Sequence, residues 1–487
     1  MSSISEQAES IPLREGRRVG AVLTAVSYGI LGSILLLTRL AGLDRSYWHD
    51  EIVTVRDFVR AGPSEILTGN RLNHELFSLV AWAASPAFGD SEIALRLWSV
   101  IPFILGVVVV TAWLHVRIGA LHGVLYLFLA TGSPLLLDVT RQARGYGLAF
   151  LAMSVLIVTA LEAERSGQTW AIIGFCAAGL VGTTNLPNFA VAFIATSAVL
   201  VMNRRLRSRV IVGLTASFLT IGALYSLHFQ VLTESSRQEY GATIGTTRVV
   251  TAPFDQILLP ALLRFDGTPP VASLLWIPLV GLVLVPIVAS PCLRSQRTVL
   301  ILSSGVVTTV LALWITRTQA VPRFFCYLLV PLLMLLASGM ASILVRVTTR
   351  PPIVRTAATL TLILLFVGVF ASAADRVVRL PREAHKDAAA AIRVGAASSV
   401  PVFAYMLQPG DLAFYLEKPV KKVRSPAAVS KLCSLPRESV LVIHPWRLPP
   451  LDAQCLARPG TRHYRFEQYA RGGEMNVWFI PAASQSQ

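Results

Sequence analysis

Charge is scarce in this sequence. Only 14% of its 487 residues are Asp, Glu, Lys or Arg, against about 25% in soluble domains. Hydrophobic residues make up 54%, and the mean hydropathy is +0.61. Such a chain cannot cover a water-facing surface with polar groups, which excludes an ordinary soluble protein and makes lipid the expected solvent. Cysteine is scarce too. The five cysteines have no metal-ligand spacing, which excludes a zinc finger or ribbon. Cys176, Cys292 and Cys326 lie in or beside apolar runs, whereas Cys433 and Cys455 share the polar C-terminal region and form a candidate disulfide. No internal repeat is visible, and almost no charge falls inside the apolar runs; transporters usually have both. Acidic residues are outnumbered 27 to 43, for a net charge of +16. The bases fall in short clusters between apolar runs. That argues against a nucleic-acid surface and matches the cytoplasmic charge of a membrane protein.

Uncharged runs are abundant. They cover residues 19–38, 97–116, 118–137, 145–161, 169–184, 188–203, 210–230, 268–293, 298–316, 324–345 and 356–374. This reads as about eleven spans, each near the ~20 residues that a bilayer core requires. Residues 185–188, Asn-Leu-Pro-Asn, can instead be a re-entrant turn between two short runs. The first run is too long for the apolar core of a cleaved signal. With the N-terminus inside, the inside segments carry Arg14, Arg17, Arg18, Arg117, Arg165, Arg204, Arg205, Arg207, Arg209, Arg294, Arg297, Arg346, Arg350 and Arg355, with few acids. The positive-inside rule favours this orientation.

The expected organisation is a cytoplasmic tail over residues 1–18, a transmembrane domain over 19–374 and a soluble outside domain over 375–487. The fold class is mainly α, a polytopic membrane protein with a small C-terminal α/β domain. The outside loop at 42–96 holds two stretches that read as interfacial helices. Ile52, Val55, Phe58 and Val59 share one face of the first, and Leu76, Phe77, Val80 and Ala84 share one face of the second.

Five segments carry candidate chemistry, all on the expected outside face. Asp50-Glu51 follows the first span and suits a base with a metal ligand or orienter; as structure alone, Asp50 is a helix cap and Glu51 favours the helix's positive end. In Asn73-His74-Glu75-Leu76-Phe77, His74 and Glu75 are candidate metal ligands, or Asn73 is simply a cap. Arg96, further on, reads as a snorkelling interface residue. The loop from Ser133-Pro134 through Asp138 and Arg141 to Arg144 and Tyr146 sets two guanidinium groups near the membrane surface, suited to a phosphate or to lipid head groups. Arg323 opens a later span with the same two readings. Phe414-Tyr415-Leu416 can touch a sugar but reads better as core packing.

These segments, in this order, resemble the GT-C membrane glycosyltransferases of glycosyltransferase family 39. That group includes the protein O-mannosyltransferases, the aminoarabinose transferases and bacterial relatives that decorate lipopolysaccharide. Asp50-Glu51 matches the family's acidic pair and residues 73–76 its Asn-His-Pro-Leu. Residues 88–99 match its Phe-Gly-x-Ser-Glu…Arg…Ser stretch. Ser133-Pro134 with residues 143–146 matches its Ser-Pro…Ala-Arg-x-Tyr loop, and residues 322–324 match its Pro-Arg-Tyr. The resemblance covers about residues 44–150 and 317–335. Glu75, Gln142 and Phe324 stand where the family has Pro, Glu and Tyr. Gln142 removes one acid, for which Asp138 is the candidate replacement.

The resemblance implies a GT-C fold and an inverting sugar transfer from a polyprenyl-phosphate donor to a glycolipid, polysaccharide or protein. The enzyme would sit in the inner membrane with its site on the periplasmic side. Asp50 would be the base, with Glu51 beside it. Arg144, Arg323 and Tyr146 would hold the donor phosphate, and Glu51 and His74 would hold a divalent metal ion if one is used. The alternatives are a polysaccharide polymerase or ligase, and a transporter or flippase of a lipid-linked sugar.

Overall fold

The computed structural model describes residues 4–68, 74–226, 285, 288–290, 295–316, 322–348, 379–381, 383–432, 434–443, 454–457, 459–468 and 474–483. The chain opens with helix α1 (Ile4–Leu40), followed by α2 (His49–Thr54), which runs on into a π-helical turn at Val55–Val59. Next come α3 (Pro63–Thr68), α4 (Glu75–Phe88), α5 (Glu92–Arg117), α6 (Ala120–Gly132) and α7 (Pro134–Val139). They are followed by α8 (Tyr146–Ser166), α9 (Thr169–Asn185), α10 (Phe189–Val201) and α11 (Arg207–Ser226). Helix α12 is Gln296–Thr316, and a 3-10 turn at Pro322–Leu328 leads into α13 (Leu329–Thr348).

Among the described residues, six helices are long and apolar enough to cross a membrane: Ala21–Leu40, Glu92–Arg117, Tyr146–Ser166, Arg207–Ser226, Gln296–Leu313 and Arg323–Val347. The expected eleven are not all of that kind. The run at 118–137 breaks at Ser133, whose hydroxyl caps α7 by accepting from the Leu136 N–H, with Pro134 at the first helical position. The runs at 169–184 and 188–203 form α9 and α10, joined by a tight turn in which Phe189 N–H donates to the Leu186 carbonyl. The run at 268–293 lies almost wholly outside the described residues, and that at 356–374 entirely so.

Helix α5 shows why these segments pack as they do. Ser91 caps it, and its buried residues Arg96, Ser99, Val100, Phe103, Val107, Val110 and Leu114 recur at helical spacing as one stripe. That stripe meets α8 in one continuous apolar core. Gly147 permits the close approach, since a Cβ there would sit 1.8 Å from the Ser99 carbonyl oxygen. At the far ends of α5 and α8, Arg117 pairs with Glu162 at 2.9 Å and Arg297 of α12 with Glu164 at 2.6 Å.

The tail is an α/β unit. Helix α14 (His385–Gly395) precedes β1 (Val402–Tyr405), α15 (Pro409–Leu416), β2 (Val420–Val423), α16 (Pro426–Leu432) and β3 (Ser439–Ile443). Strands β4 (Arg462–Glu467) and β5 (Glu474–Ile480) complete a sheet of order β2-β1-β3-β5-β4. Its first three strands are parallel and its last two pairings antiparallel. Every residue of β3 is buried, as a strand covered on both faces requires. Cys433 and the Cys455 side chain, the candidate disulfide, lie outside the described residues.

The tail docks on the first long loop. Phe414 stands edge-on to Tyr47, and the Tyr415 hydroxyl accepts from the Tyr47 N–H at 2.6 Å while donating to Glu92 at 3.2 Å. Of the expected core segment, Leu416 belongs to the tail's own core, Tyr415 packs against both that core and the first-loop cluster, and Phe414 packs against the first-loop cluster. The two interfacial helices also differ from one another. Ile52, Val55, Phe58 and Val59 are all buried, as expected. On α4 the buried face is Phe77, Ser78 and Ala81, and Val80 is exposed, one position off the expected stripe.

Candidate active site

The first loop presents its two acids in opposite senses. Consecutive residues on a helix point about 100° apart, so α2 turns Glu51 inward and leaves Asp50 facing outward. The Glu51 carboxylate is fully buried and accepts four N–H donors. Oε1 takes Arg96 Nε at 2.8 Å and the Ala143 N–H at 2.6 Å; Oε2 takes Arg96 Nη2 at 2.7 Å and the Trp48 N–H at 3.2 Å. Arg96 spends its remaining N–H groups on the carbonyls of Leu43, Arg45 and Ser46. It is therefore a buried clamp, not a snorkelling residue: it ties the loop after α1 and the start of α2 to α5, and through Glu51 to the 143–146 turn.

Asp50 is partly exposed, and two cations converge on its Oδ2. Arg323 Nη2 lies at 3.0 Å and Arg144 Nη1 at 3.3 Å. Each arginine is placed by its own segment. Arg144 lies in the turn before α8, where Asn185 Nδ2 donates to the Gly145 carbonyl at 2.7 Å. A side chain at residue 145 would collide with Asn185, since an added Cβ would be 2.2 Å from Oδ1. Arg323 lies in the 3-10 turn before α13. Asn188 Nδ2 holds that turn through the Phe324 carbonyl at 2.9 Å, and the Tyr327 hydroxyl donates to the Asn188 carbonyl at 3.1 Å. The Arg323 guanidinium also sits over the Trp48 and Phe324 rings, 4.9 and 5.3 Å from their centroids.

Tyr146 and His74 complete the floor. Their rings meet edge to face at 4.7 Å, and Arg144 lies 5.8 Å from the Tyr146 centroid. The buried Tyr146 hydroxyl and His74 Nδ1 have no hydrogen-bond partner among the described residues. Burial, and then the charges of Arg144 and Arg323, hold the His74 imidazole well below its usual range, so it is neutral. The start of α2 and the segments before α4, α8 and α13 thus bring Asp50, Arg144, Arg323, Tyr146 and His74 around one point.

Three candidates stand elsewhere. Asp138 is buried, accepts from Gln142 Nε2 at 3.3 Å, and lines a cavity of about 30 Å³ shared with Glu51, Arg96 and Arg141. That cavity holds about one water and lies on the Glu51 side of the loop. Arg141 donates to the Ala41 carbonyl, so it braces the end of α1. Glu51 and His74 do not fit a metal ion: both Glu51 oxygens are taken by N–H groups, and His74 faces arginines. Among the described residues, the group able to hold a cation is Glu383, His385 and Asp411. Sequence reasoning missed it, together with the Trp48 ring under Arg323.

No protein-family model and no curated protein matches this sequence. Solved structures do. ArnT from Cupriavidus metallidurans in the apo state aligns at a TM-score of 0.54 and 12% identity, over 96% of this chain and 99% of that one. The same protein bound to undecaprenyl phosphate aligns at 0.51 and 14%, over the same shares. The oligosaccharyltransferase AglB from Archaeoglobus fulgidus, in complex with an inhibitory peptide and a dolichol-phosphate, aligns at 0.51 and 9%, over 85% of this chain and 69% of that one. The chain has the GT-C fold. Within that fold, two arginines at the starts of α8 and α13 close on an aspartate at the start of α2. Two guanidinium groups converging on one carboxylate oxygen form a site that holds an anion.

Proposed function

We propose that this chain is a membrane glycosyltransferase. It moves a sugar from a polyprenyl-phosphate donor to a glycolipid, polysaccharide or protein hydroxyl on the outer face of the inner membrane, with inversion. The observation that carries this reading is the Asp50–Arg144–Arg323 triad at the mouth of the apolar helices. The GT-C fold supports it, as do the lipid phosphates bound by ArnT and AglB.

The ion pairs seen here suggest an order of events. The donor phosphate competes with Asp50 for the two guanidinium forks, and the Tyr146 hydroxyl, buried and without a hydrogen-bond partner among the described residues, donates to a phosphate oxygen. Once the phosphate holds the arginines, the Asp50 carboxylate is released to accept a hydrogen bond from the acceptor hydroxyl. That oxygen attacks the anomeric carbon, its proton passes to Asp50, and the bond from the anomeric carbon to the phosphate oxygen breaks. The electron pair leaves on the lipid phosphate, where both arginines stabilise the growing charge. His74, being neutral, adds no competing cation. Glu51 acts by fixing the start of α2, and Asp138 and Gln142 support the turn that carries Arg144.

A deletion strain tests the reaction. Mass spectrometry of its lipid A, glycolipids and envelope polysaccharide is expected to show one glycan lost relative to wild type. Complementation with the wild-type gene restores it. Arg144→Lys and Arg323→Lys each cut transfer about 10-fold or more, the scale of one lost charge-assisted hydrogen bond. Full restoration by both lysine variants returns these residues to plain surface anchoring.

The orientation has its own test. A reporter fused after Gln487 is expected to be active on the periplasmic side, and cytoplasmic activity of the fusion overturns the assignment of the outer face.

A further inference from the structure

A second buried cluster lies where the tail meets α2. His49, the residue before Asp50, places Nδ1 at 2.9 and 3.0 Å from the two oxygens of Asp411, and its N–H donates to Glu383 Oε2 at 3.1 Å. His385 Nε2 lies 2.9 Å from Glu383 Oε2 and 4.0 Å from Asp411 Oδ2. The side chains of Glu383, His385 and Asp411 are at most 3% exposed. One ligand atom from each of these three lies within 4.8 Å of the other two. The four residues come from three remote segments: the start of α2, the approach to α14 and the first turn of α15.

We infer that Glu383, His385 and Asp411 bind a zinc ion that fixes the surface on which His49, and with it the helix carrying Asp50, is held to the tail domain. Two carboxylates buried within reach of each other repel unless a cation lies between them. One imidazole and two carboxylates are a three-ligand donor set that tetrahedral zinc accepts, with water in the fourth position. With ligand distances near 2.0–2.1 Å, the edges of such a tetrahedron are about 3.3 Å. The His385–Glu383 separation of 2.9 Å and the His385–Asp411 separation of 4.0 Å bracket that edge, and all three ligand atoms lie within 4.8 Å of one another, so side-chain shifts of about 1 Å close the site. The consequence is positional. His49 is fixed at its backbone N–H through Glu383 and at its ring through Asp411, both held by the metal, which sets the angle at which Asp50 leaves α2.

The experiment uses the full chain in detergent with an affinity tag that contains no histidine. Elemental mass spectrometry is expected to find about one zinc per chain. Chelation is expected to lower the melting temperature of the wild-type protein, and added zinc to restore it. His385→Ala and Asp411→Asn are each expected to weaken zinc binding more than about 10-fold. His463→Gln, altering a histidine on the tail's outer strand that bonds Asn476, is expected to keep the metal. Protein grown with ample zinc that carries none, and melts unchanged in chelator and in added zinc, overturns the site and leaves a proton-bridged network. Manganese or calcium in its place overturns the assignment of zinc. Undiminished zinc in Asp411→Asn moves the metal elsewhere. Metal content is read without any sugar transfer, so this result and the transferase reading stand or fall separately.

Discussion

Asp50→Asn is expected to lower kcat by about 10²-fold or more, the usual scale for a removed general base, while the protein inserts and folds as wild type. The geometry sharpens this expectation. Asparagine keeps the start of α2 and leaves the backbone carbonyl of residue 50 available to Arg144, which contacts it at 3.4 Å. The Asp50 carboxylate pairs with two largely buried arginines, so losing its charge is expected to lower the melting temperature without changing the fold. The donor phosphate no longer has to displace a carboxylate from those two arginines, so donor affinity is expected to be equal or tighter. A fall in kcat with unchanged or lower KM for the donor marks an interaction that matters only after binding. A helix cap predicts near-normal kinetics, because asparagine caps as well as aspartate. A phosphate-site residue predicts a raised KM. Single-turnover assays in nanodiscs with a lipid-linked donor distinguish the three, and wild-type kcat in a well-folded Asp50→Asn protein removes the proposed mechanism.

The sequence reveals the solvent, because apolar runs near 20 residues leave little choice. It also reveals which loops share a face, because spans alternate. That is why Asp50, His74, Arg144, Tyr146 and Arg323 were legible as a set before their contacts were known. It does not reveal which of two adjacent acids points outward. Asp50 and Glu51 read alike on paper, yet the helix turns one to the arginines and the other to Arg96, and only the burial of Arg96 decides which. The departures from the family pattern have local explanations of the same kind. Glu75 stands at the first position of α4, where the positive helix end suits an acid and where proline also fits, so that exchange leaves the backbone unaltered. Phe324 lacks a hydroxyl but keeps its ring beneath Arg323 and its carbonyl on Asn188. The contacts of His49 with Glu383 and Asp411, and of Tyr415 with Tyr47, depend on chain segments more than 300 residues apart docking face to face. No local spacing encodes such a meeting.

Glu51→Gln is expected to act on stability first. All four groups around the carboxylate are donors: two N–H groups of Arg96 and the backbone N–H groups of Trp48 and Ala143. A glutamine side chain offers one acceptor oxygen and one NH₂ group, so its amide must turn an N–H toward another N–H. Arg96, which is only 6% exposed, then stays buried without a counter-charge. Breaking one partner of a buried pair costs about 3–5 kcal/mol, because the other charge remains uncompensated. Arg96→Met removes the other partner and orphans the carbonyls of Leu43, Arg45 and Ser46 as well, so its loss is expected to be at least as large. The double variant is expected to fall well short of the sum, because the second substitution removes the charge that the first left stranded. Thermal unfolding of the three proteins in one detergent measures the coupling. If Glu51 were instead a base or a metal ligand, Glu51→Gln would fold at the wild-type temperature and fail only in turnover. In that case the two substitutions would add. A wild-type melting temperature for Glu51→Gln, with additive losses in the double variant, removes the clamp and returns Glu51 to the chemistry.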